Sequence, residues 1–302
     1  VSNILITGAT GFIGKVLQQR LHQLGYTCYI LSTSVSNIAK NIYKWNPEAE
    51  ICESLPDIEF KVVINLAGAS INDTRWNKAG KQLILDSRVK STIFLGKIIK
   101  NFKIAPSQII SASAIGIYGI KDNELKTENS LPGDDFAAKV CVDWENAFQN
   151  FDSSQTKISI IRIGIVLGNE GGFYAKIKSL AKWKIAAALA SGNQPVSWIH
   201  LDDLVEVFTE LVEQKIDQGV YNAVTAFNSN KEITKKIAVL NGQSFLMPAI
   251  PSFLLRIIFG QKAEIFTGGT RISNQKLLNA GFKYQFQTLD LVMNDLNRKS
   301  AK

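Results

Sequence analysis

The chain has 302 residues, 46% of them apolar and 20% charged, with a formal net charge of +8 and three cysteines. That length can bury one large α/β domain or two smaller units, and the composition is that of a globular protein, which excludes a disordered chain. No apolar run approaches the ~18 residues of a membrane span, and VSNILIT starts in a strand pattern with no basic leader, so we expect a soluble cytoplasmic protein with no membrane partner.

Cys28, Cys52 and Cys141 are single and far apart. Such spacing gives neither a disulfide framework nor a thiolate metal site, and no metal is expected. The positive charge is spread out. Its densest stretch, AKIKSLAKWK, holds Lys176, Lys178, Lys182 and Lys184 at mixed spacing, which reads as a solvated helix face and not as a stripe tracking nucleic-acid phosphates.

In chain order, the apolar ILIT meets a glycine-rich turn, VLQQRLHQL carries apolar residues at helical spacing and stops at Gly25, and CYILS forms a second strand. Together these make one βαβ unit over residues 1 to 32. After a variable stretch from Lys40 to Pro56, KVVINLAG is a third buried strand and GKQLILDSRVKSTIFLGKIIKN a long helix. QIISASA and ISIIRIGIVLG repeat the pattern of a buried strand running into small residues. WIHLDDLVEVFTELVE reads as a strand end, a cap at Asp202 and a helix; GVYNAV adds a strand, and the tail from Lys231 is mostly helical. Uniformly apolar strands alternating with helices predict an α/β fold whose doubly wound parallel sheet is covered on both faces. We place a nucleotide-binding domain at 1–168, with 196–225 returning to it, and a smaller, mostly helical lobe at 169–195 and 226–302.

TGATGFIG sets Gly8, Gly11 and Gly14 between a strand and a helix, the context a dinucleotide fingerprint requires. A triphosphate loop fails on spacing: its first glycine would fall on Ala9 and its magnesium hydroxyl on Val16. At the end of the second strand, LSTSVSN offers no carboxylate to repel a 2′-phosphate, and Ser32, Thr33 and Ser34 could donate hydrogen bonds to one. That favours NADP(H) slightly over NAD(H).

With TGATGFIG, NLAGASINDTRWNKAGKQLILDSR, SASAIGIYG, DDFAAKVCVDWE, RIGIVLGNEGG, GNQPVSWIHLDDLVEVF and NAGFKYQF on the page, the chain resembles the extended short-chain dehydrogenases/reductases, the group of nucleotide-sugar epimerases and dehydratases. Within it, the match is to the atypical, epimerase-like branch, and it covers almost the whole chain. The resemblance implies a Rossmann-like NAD(P)-binding domain with a C-terminal lobe over the nicotinamide end. It also implies cofactor contacts from the glycine loop (Thr7, Gly8, Thr10, Gly11, Phe12, Ile13, Gly14), Ser32, Thr33, Leu66, Ala67, Gly68, Leu83, Arg88, Ser111 and Ile165. Close relatives usually carry arginine where this chain has Thr33, which leaves more of the anion contact to Arg88. The competing reading of Arg88 is a surface helix charge.

Active members of the wider group use a serine or threonine, and a tyrosine and lysine four residues apart on the next helix: hydride moves to or from the nicotinamide while the phenol exchanges a proton. Here Ser111, Ser113 and Lys139 stand, but the tyrosine position is Asp135, followed by Phe136. Three explanations compete. The proton group has moved, to Tyr118 or Asp135; or the reaction runs on Ser113 with water or His200; or the fold binds NAD(P)H without turnover, as a sensor or scaffold. The first two make the protein an oxidoreductase or epimerase acting on a small molecule. Trp76 and Trp144 anchor helices or shape the substrate mouth; Arg75 faces an anion or a surface partner; Gly171 and Gly172 mark a turn suited to a lid.

Overall fold

The computed structural model describes residues 2–71, 73–120, 124–151, 156–245 and 248–300. The first half runs β1 (Asn3–Thr7), α1 (Phe12–Gln23), β2 (Thr27–Ser32), β3 (Ile42–Asn46), β4 (Ile51–Cys52), β5 (Phe60–Asn65), α2 (Lys78–Asn101), β6 (Gln108–Ala114), β7 (Leu125–Lys126) and α3 (Phe136–Asn146). The second half runs β8 (Lys157–Ile163), β9 (Ile165–Gly168), α4 (Gly172–Lys182), β10 (Pro195–His200), α5 (Leu201–Val212), β11 (Val220–Ala223), β12 (Ala226–Ser229) and α6 (Asn230–Leu240). It closes with α7 (Ser252–Phe259), α8 (Ala263–Thr267), β13 (Arg271–Ile272), α9 (Gln275–Asn279) and α10 (Leu289–Ser300).

The main sheet has the order β11-β8-β6-β5-β1-β2-β3-β4. Its pairings are parallel except for β3 with β4. β1 is the pivot, since β2 lies on one side of it and β5 on the other; the chain therefore winds outward in both directions and leaves a crevice above β1 at the carboxyl ends of the strands. Burial follows from two-sided coverage: Ile4, Leu5, Ile6, Val63, Ile64 and Ile110 are fully enclosed, because helices cover both faces.

Two readings of the sequence change. The stretch from Lys40 to Pro56, treated as variable, contains β3, a parallel strand whose Tyr43 and Trp45 are buried while Lys44 and Asn46 are exposed. ISIIRIGIVLG is not one strand but two. It breaks at Gly164, where a Cβ would lie 2.6 Å from Val224 Cγ1 and 3.0 Å from the Ser197 carbonyl oxygen; β8 stays in the main sheet, and β9 joins β10 and β12 in a second, three-stranded sheet. That small sheet carries its own core, in which Leu167, Trp198, Tyr174, Ile237, Val292 and Leu296 bring α4, α6 and α10 together.

α5 ties the two cores. Its N-cap is His200 and not Asp202: the His200 Nδ1 accepts the Asp202 backbone N–H at 3.1 Å, while Asp202 stands in the first turn. Accepting at Nδ1 places the ring proton on Nε2, which lies 3.3 Å from Asp295 Oδ2 on α10. His200, Asp202 and Asp295 bring potential ligand atoms within 4.8 Å of one another, but Lys299 Nζ sits 2.6 Å from Asp202 and 2.9 Å from Asp295, so the two carboxylates already share a cation. Burial holds the His200 imidazole well below the usual histidine range, against the opposing pull of Asp202 and Asp295. Protonating Nδ1 would also set two N–H groups against each other and break the cap. The unfolded chain thus binds a proton near pH 6.5 that the folded one refuses. Stability is full above that pH and falls as the pH drops toward about 4, with a slope of up to ~1.4 kcal/mol per pH unit. We expect His200→Asn, whose amide oxygen can keep the cap, to flatten this slope in thermal unfolding followed from pH 7 to pH 4.5; equal slopes would remove His200 as the cause.

Candidate functional site: a dinucleotide crevice

The turn from β1 into α1 is built on backbone packing. Gly8 has φ +70°, and a Cβ there would lie 2.5 Å from the Leu66 carbonyl oxygen. At Gly14 a Cβ would run into the Gly8 carbonyl oxygen and lie 2.6 Å from Ala9 Cα. Gly11 differs: its Cβ would meet only the Gly8 oxygen, at 3.3 Å, so its outer face is open. Gly11 caps α1 without a side chain, and no acidic residue stands in the first turn. The orphan amides and the positive helix end therefore face the crevice uncompensated, a cradle suited to a diphosphate.

Beneath the loop, Thr7 donates its hydroxyl to Asn65 Oδ1 at 2.6 Å and accepts the Leu66 N–H at 3.2 Å. Asn65 Nδ2 reaches Thr92 at 3.0 Å and Ser111 at 3.4 Å. This buried cluster ties β1, β5, β6 and α2 together. Thr7 and Ser111 are fully enclosed, so their hydroxyls serve this cluster.

A cleft of about 470 Å³ opens above the loop, within the range of small-molecule sites. Gly8, Thr10, Gly11, Ser32, Thr33, Leu66, Ala67, Gly68 and Leu83 line it together. Ser32 Oγ accepts the Ser34 and Val35 amides at 3.3 Å each, which turns the loop and leaves Thr33 exposed. Other wall residues carried no signal in the sequence: Trp45, Asn46, Pro47 and Glu48 follow from β3, and Lys90 bridges Glu48 at 2.8 Å and Asp86 at 3.2 Å. Phe12 and Ile165 lie outside this wall. The Phe12 ring packs where Cβ atoms on Gly168 and Gly171 would fall, at 2.7 and 2.9 Å, so the Gly171–Gly172 turn is wedged against α1. Ile13 packs on the main core and Ile165 on the second.

Arg88 is not a surface charge. It is 9% exposed, its Nη1 donates to the Ile84 carbonyl oxygen at 3.0 Å, and its guanidinium lies 5.2 Å from the Trp144 ring centre. A Cβ on Gly68 would sit 3.1 Å from its Cζ. Burial holds its pKa below the ordinary arginine value.

Of the four residues considered for proton transfer, Ser113 and Tyr118 are joined through Glu145 and Arg162. Tyr118 is 3% exposed; its hydroxyl donates to Asn222 Oδ1 at 2.7 Å and accepts from Arg162 Nη1 at 2.8 Å. Burial raises its pKa, with Arg162 and Asn222 pulling the other way. Ser113 donates to Glu145 Oε1 at 2.6 Å, and Glu145 pairs with Arg162 at 2.9 and 2.8 Å. Asp135 caps α3, accepting the Ala138 N–H at 2.9 Å, and Lys139 is exposed. Glu145, Arg162 and Asn222 went unassigned in the sequence; a charged residue inside the apolar run ISIIRIGI was the one visible clue. Trp76 packs edge-on to Phe136 at 5.0 Å, Lys81 lies over both rings, and Arg75 is exposed.

Known proteins resemble this chain along almost its whole length. The NAD dependent epimerase/dehydratase family matches residues 4–223. The chain belongs to that family. A domain of unknown function, DUF1731, matches residues 250–296. Among epimerase-family relatives, SSP1921 of Staphylococcus saprophyticus is 32% identical, covering 98% of this chain and 99% of its own. The chloroplastic SDR39U1 homolog of Arabidopsis thaliana is 33% identical over 94% of this chain and 83% of its own. The crystal structure of human SDR39U1 (isoform 2) with NADPH superposes with a TM-score of 0.88 at 26% identity, covering 98% of this chain and 99% of that one. This epimerase-family chain is an NAD(P)-binding, Rossmann-like protein.

Two outcomes follow from the packing. Gly14→Ala overpacks the turn and should cost about 1–3 kcal/mol and weaken nucleotide binding, read by urea unfolding and fluorescence titration. Tyr118→Phe leaves Asn222 and Arg162 short of a partner and should cost about 1–3 kcal/mol with nucleotide affinity unchanged; a stable variant with lost binding would refute a structural role.

Proposed function

We propose that this protein binds NADP(H) across the β1 crevice and acts as an oxidoreductase or epimerase-like enzyme on a small molecule without a tyrosine–lysine relay. One observation carries the reading: the uncapped α1 N-terminus and the Gly8–Gly14 cradle meet a cleft where the end of β2 offers the hydroxyls of Ser32 and Thr33, and where the wall carboxylates Glu48 and Asp86 are both paired with Lys90. Gly8 to Gly14 would hold the diphosphate, Ser32 and Thr33 the adenosine ribose, and Leu66 to Gly68 the far side. When bound, the cofactor supplies hydride transfer. NADPH in the human SDR39U1 structure supports NADP(H) over NAD(H).

For the chemical step, Ser113 at the carboxyl end of β6 is the hydroxyl nearest the family's position, and its short bond to Glu145 gives it a partner for proton exchange. A small-molecule substrate also suits the lysines of α4, which diverge: Lys176 reaches Asp73, while Lys178 reaches Asn169 and Ser300.

A second reading, a non-catalytic NAD(P)H-binding sensor or scaffold, is favoured by the internal bonding of the Tyr118 and Ser113 hydroxyls. NADPH oxidation across a panel of carbonyl compounds and nucleotide sugars separates the two. Turnover lost in Ser113→Ala with NADPH affinity kept supports the enzyme; stoichiometric binding with no turnover supports the sensor; no binding of either nicotinamide nucleotide rejects both. Thr33→Arg should raise the preference for NADPH over NADH about tenfold, or ~1.4 kcal/mol, read by calorimetry with each nucleotide.

A further inference from the structure

Arg88 is a buried cation with no counter-charge among the described residues. Among the described residues its one hydrogen bond goes to a neutral carbonyl oxygen, that of Ile84. Around it stand the Trp144 ring, the Gly68 backbone and Cys141. Burial pushes the Cys141 thiol up to about 12, so it is neutral and offers nothing to pair with. Glu145 is engaged elsewhere, by two bonds from Arg162 and one from Ser113. Arg162, the other buried cation nearby, is thereby neutralised, whereas Arg88 is not. An enclosed, unpaired charge projects its field far more strongly than an exposed one.

The place of that charge matters. The crevice runs from β2, where Ser32 and Thr33 line it, over the glycine loop to Gly68 beyond β5. In a doubly wound sheet the two halves of a dinucleotide lie on either side of the switch point. With the adenosine half on the β2 side, the nicotinamide half belongs to the β5–β6 side, where Arg88 backs Gly68. The oxidised nicotinamide ring carries a positive charge; taking up a hydride, which is one proton and two electrons, removes it. The phosphates are the same in both forms.

We infer that Arg88 selects the redox state of the cofactor, its unpaired guanidinium repelling the cationic NADP⁺ ring and leaving NADPH as the form this crevice retains. This rests on the NADP(H) reading above and deepens it: the bound couple becomes a weaker reductant than the free one, and the resting protein carries reduced cofactor.

The test is calorimetric titration of the full-length protein with NADPH and, separately, with NADP⁺, using wild type, Arg88→Gln and Arg88→Lys. Wild type is expected to bind NADPH at least tenfold more tightly than NADP⁺, which raises the midpoint potential of the bound couple by about 30 mV. Arg88→Gln should bring the ratio down at least fivefold, through tighter NADP⁺ binding relative to NADPH, and Arg88→Lys should keep most of it at low pH, where the enclosed ammonium holds its proton, and lose it as the pH rises. Should the glutamine variant not fold, Arg88→Met keeps the packed stem without the charge. A wild-type ratio near one overturns the inference. So does a neutral variant that weakens both nucleotides equally, since that places the charge against the shared diphosphate. Failure of both nucleotides to bind wild type is a different result and rejects the cofactor reading itself.

Discussion

The site depends on one steric constraint: two backbones touch where a side chain would keep them apart. Gly8 lies against the Leu66 carbonyl, and Gly14 lies against Gly8 itself. These contacts draw the first turn of α1 down onto the carboxyl ends of β1 and β5. They fix the direction in which the free amides of the helix point, and an anion site made of amides works only if that direction is fixed. The Thr7–Asn65–Thr92–Ser111 cluster holds the same place from below. Its hydroxyls and amide are fully enclosed and satisfy one another, which makes the cluster rigid instead of costly.

The same economy of partners explains the missing relay. The wider family places a phenol and an ammonium where a substrate hydroxyl can meet them. In this chain those positions hold Asp135 and Lys139, and the polar side chains at the end of β6 belong to an internal network, Ser113–Glu145–Arg162–Tyr118–Asn222, whose members bond to one another at 2.6–2.9 Å. Arg162 donates further to the Glu128 carbonyl oxygen at 3.0 Å, and Glu128 accepts the Asn222 N–H at 2.8 Å. Removing any one member leaves another buried and unpaired, so the network is held together by the cost of breaking it more than by the net gain of each bond. Polar side chains at a strand end, read from sequence as candidates for chemistry, are in part the fastening between β6, α3, β8 and β11.

What the sequence could reveal follows from range. The βαβ start, the apolar central strands and the long α2 are written in local periodicity, and the glycine spacing in local backbone geometry; all were legible. β3 was not, because this strand, one in from the sheet's edge, buries only alternate residues: IYKWN shows its solvent side as plainly as its core side. The break at Gly164 was hidden because both halves are apolar and only the approach of Val224 and Ser197, distant in sequence, requires it. His200 takes the cap in place of Asp202, against the usual preference for aspartate, in a setting local sequence does not show: its ring lies 3.3 Å from Asp295, nearly a hundred residues on. For Arg88 the sequence held no means of telling a surface charge from a buried one; that depends on the α2–α3 interface and on Trp144.

The choice of arginine at that buried position narrows what the site can do. Burial favours the uncharged form of any base, and a lysine enclosed in this way can lose its proton and become a catalytic base. Arginine keeps its charge even where burial lowers its pKa, as it does here, so it exchanges no proton near neutral pH. Lys139, the residue left at the family's lysine position, lies in solvent. The enclosed charge that remains beside Gly68 can attract, repel and orient, but it is not a source of protons.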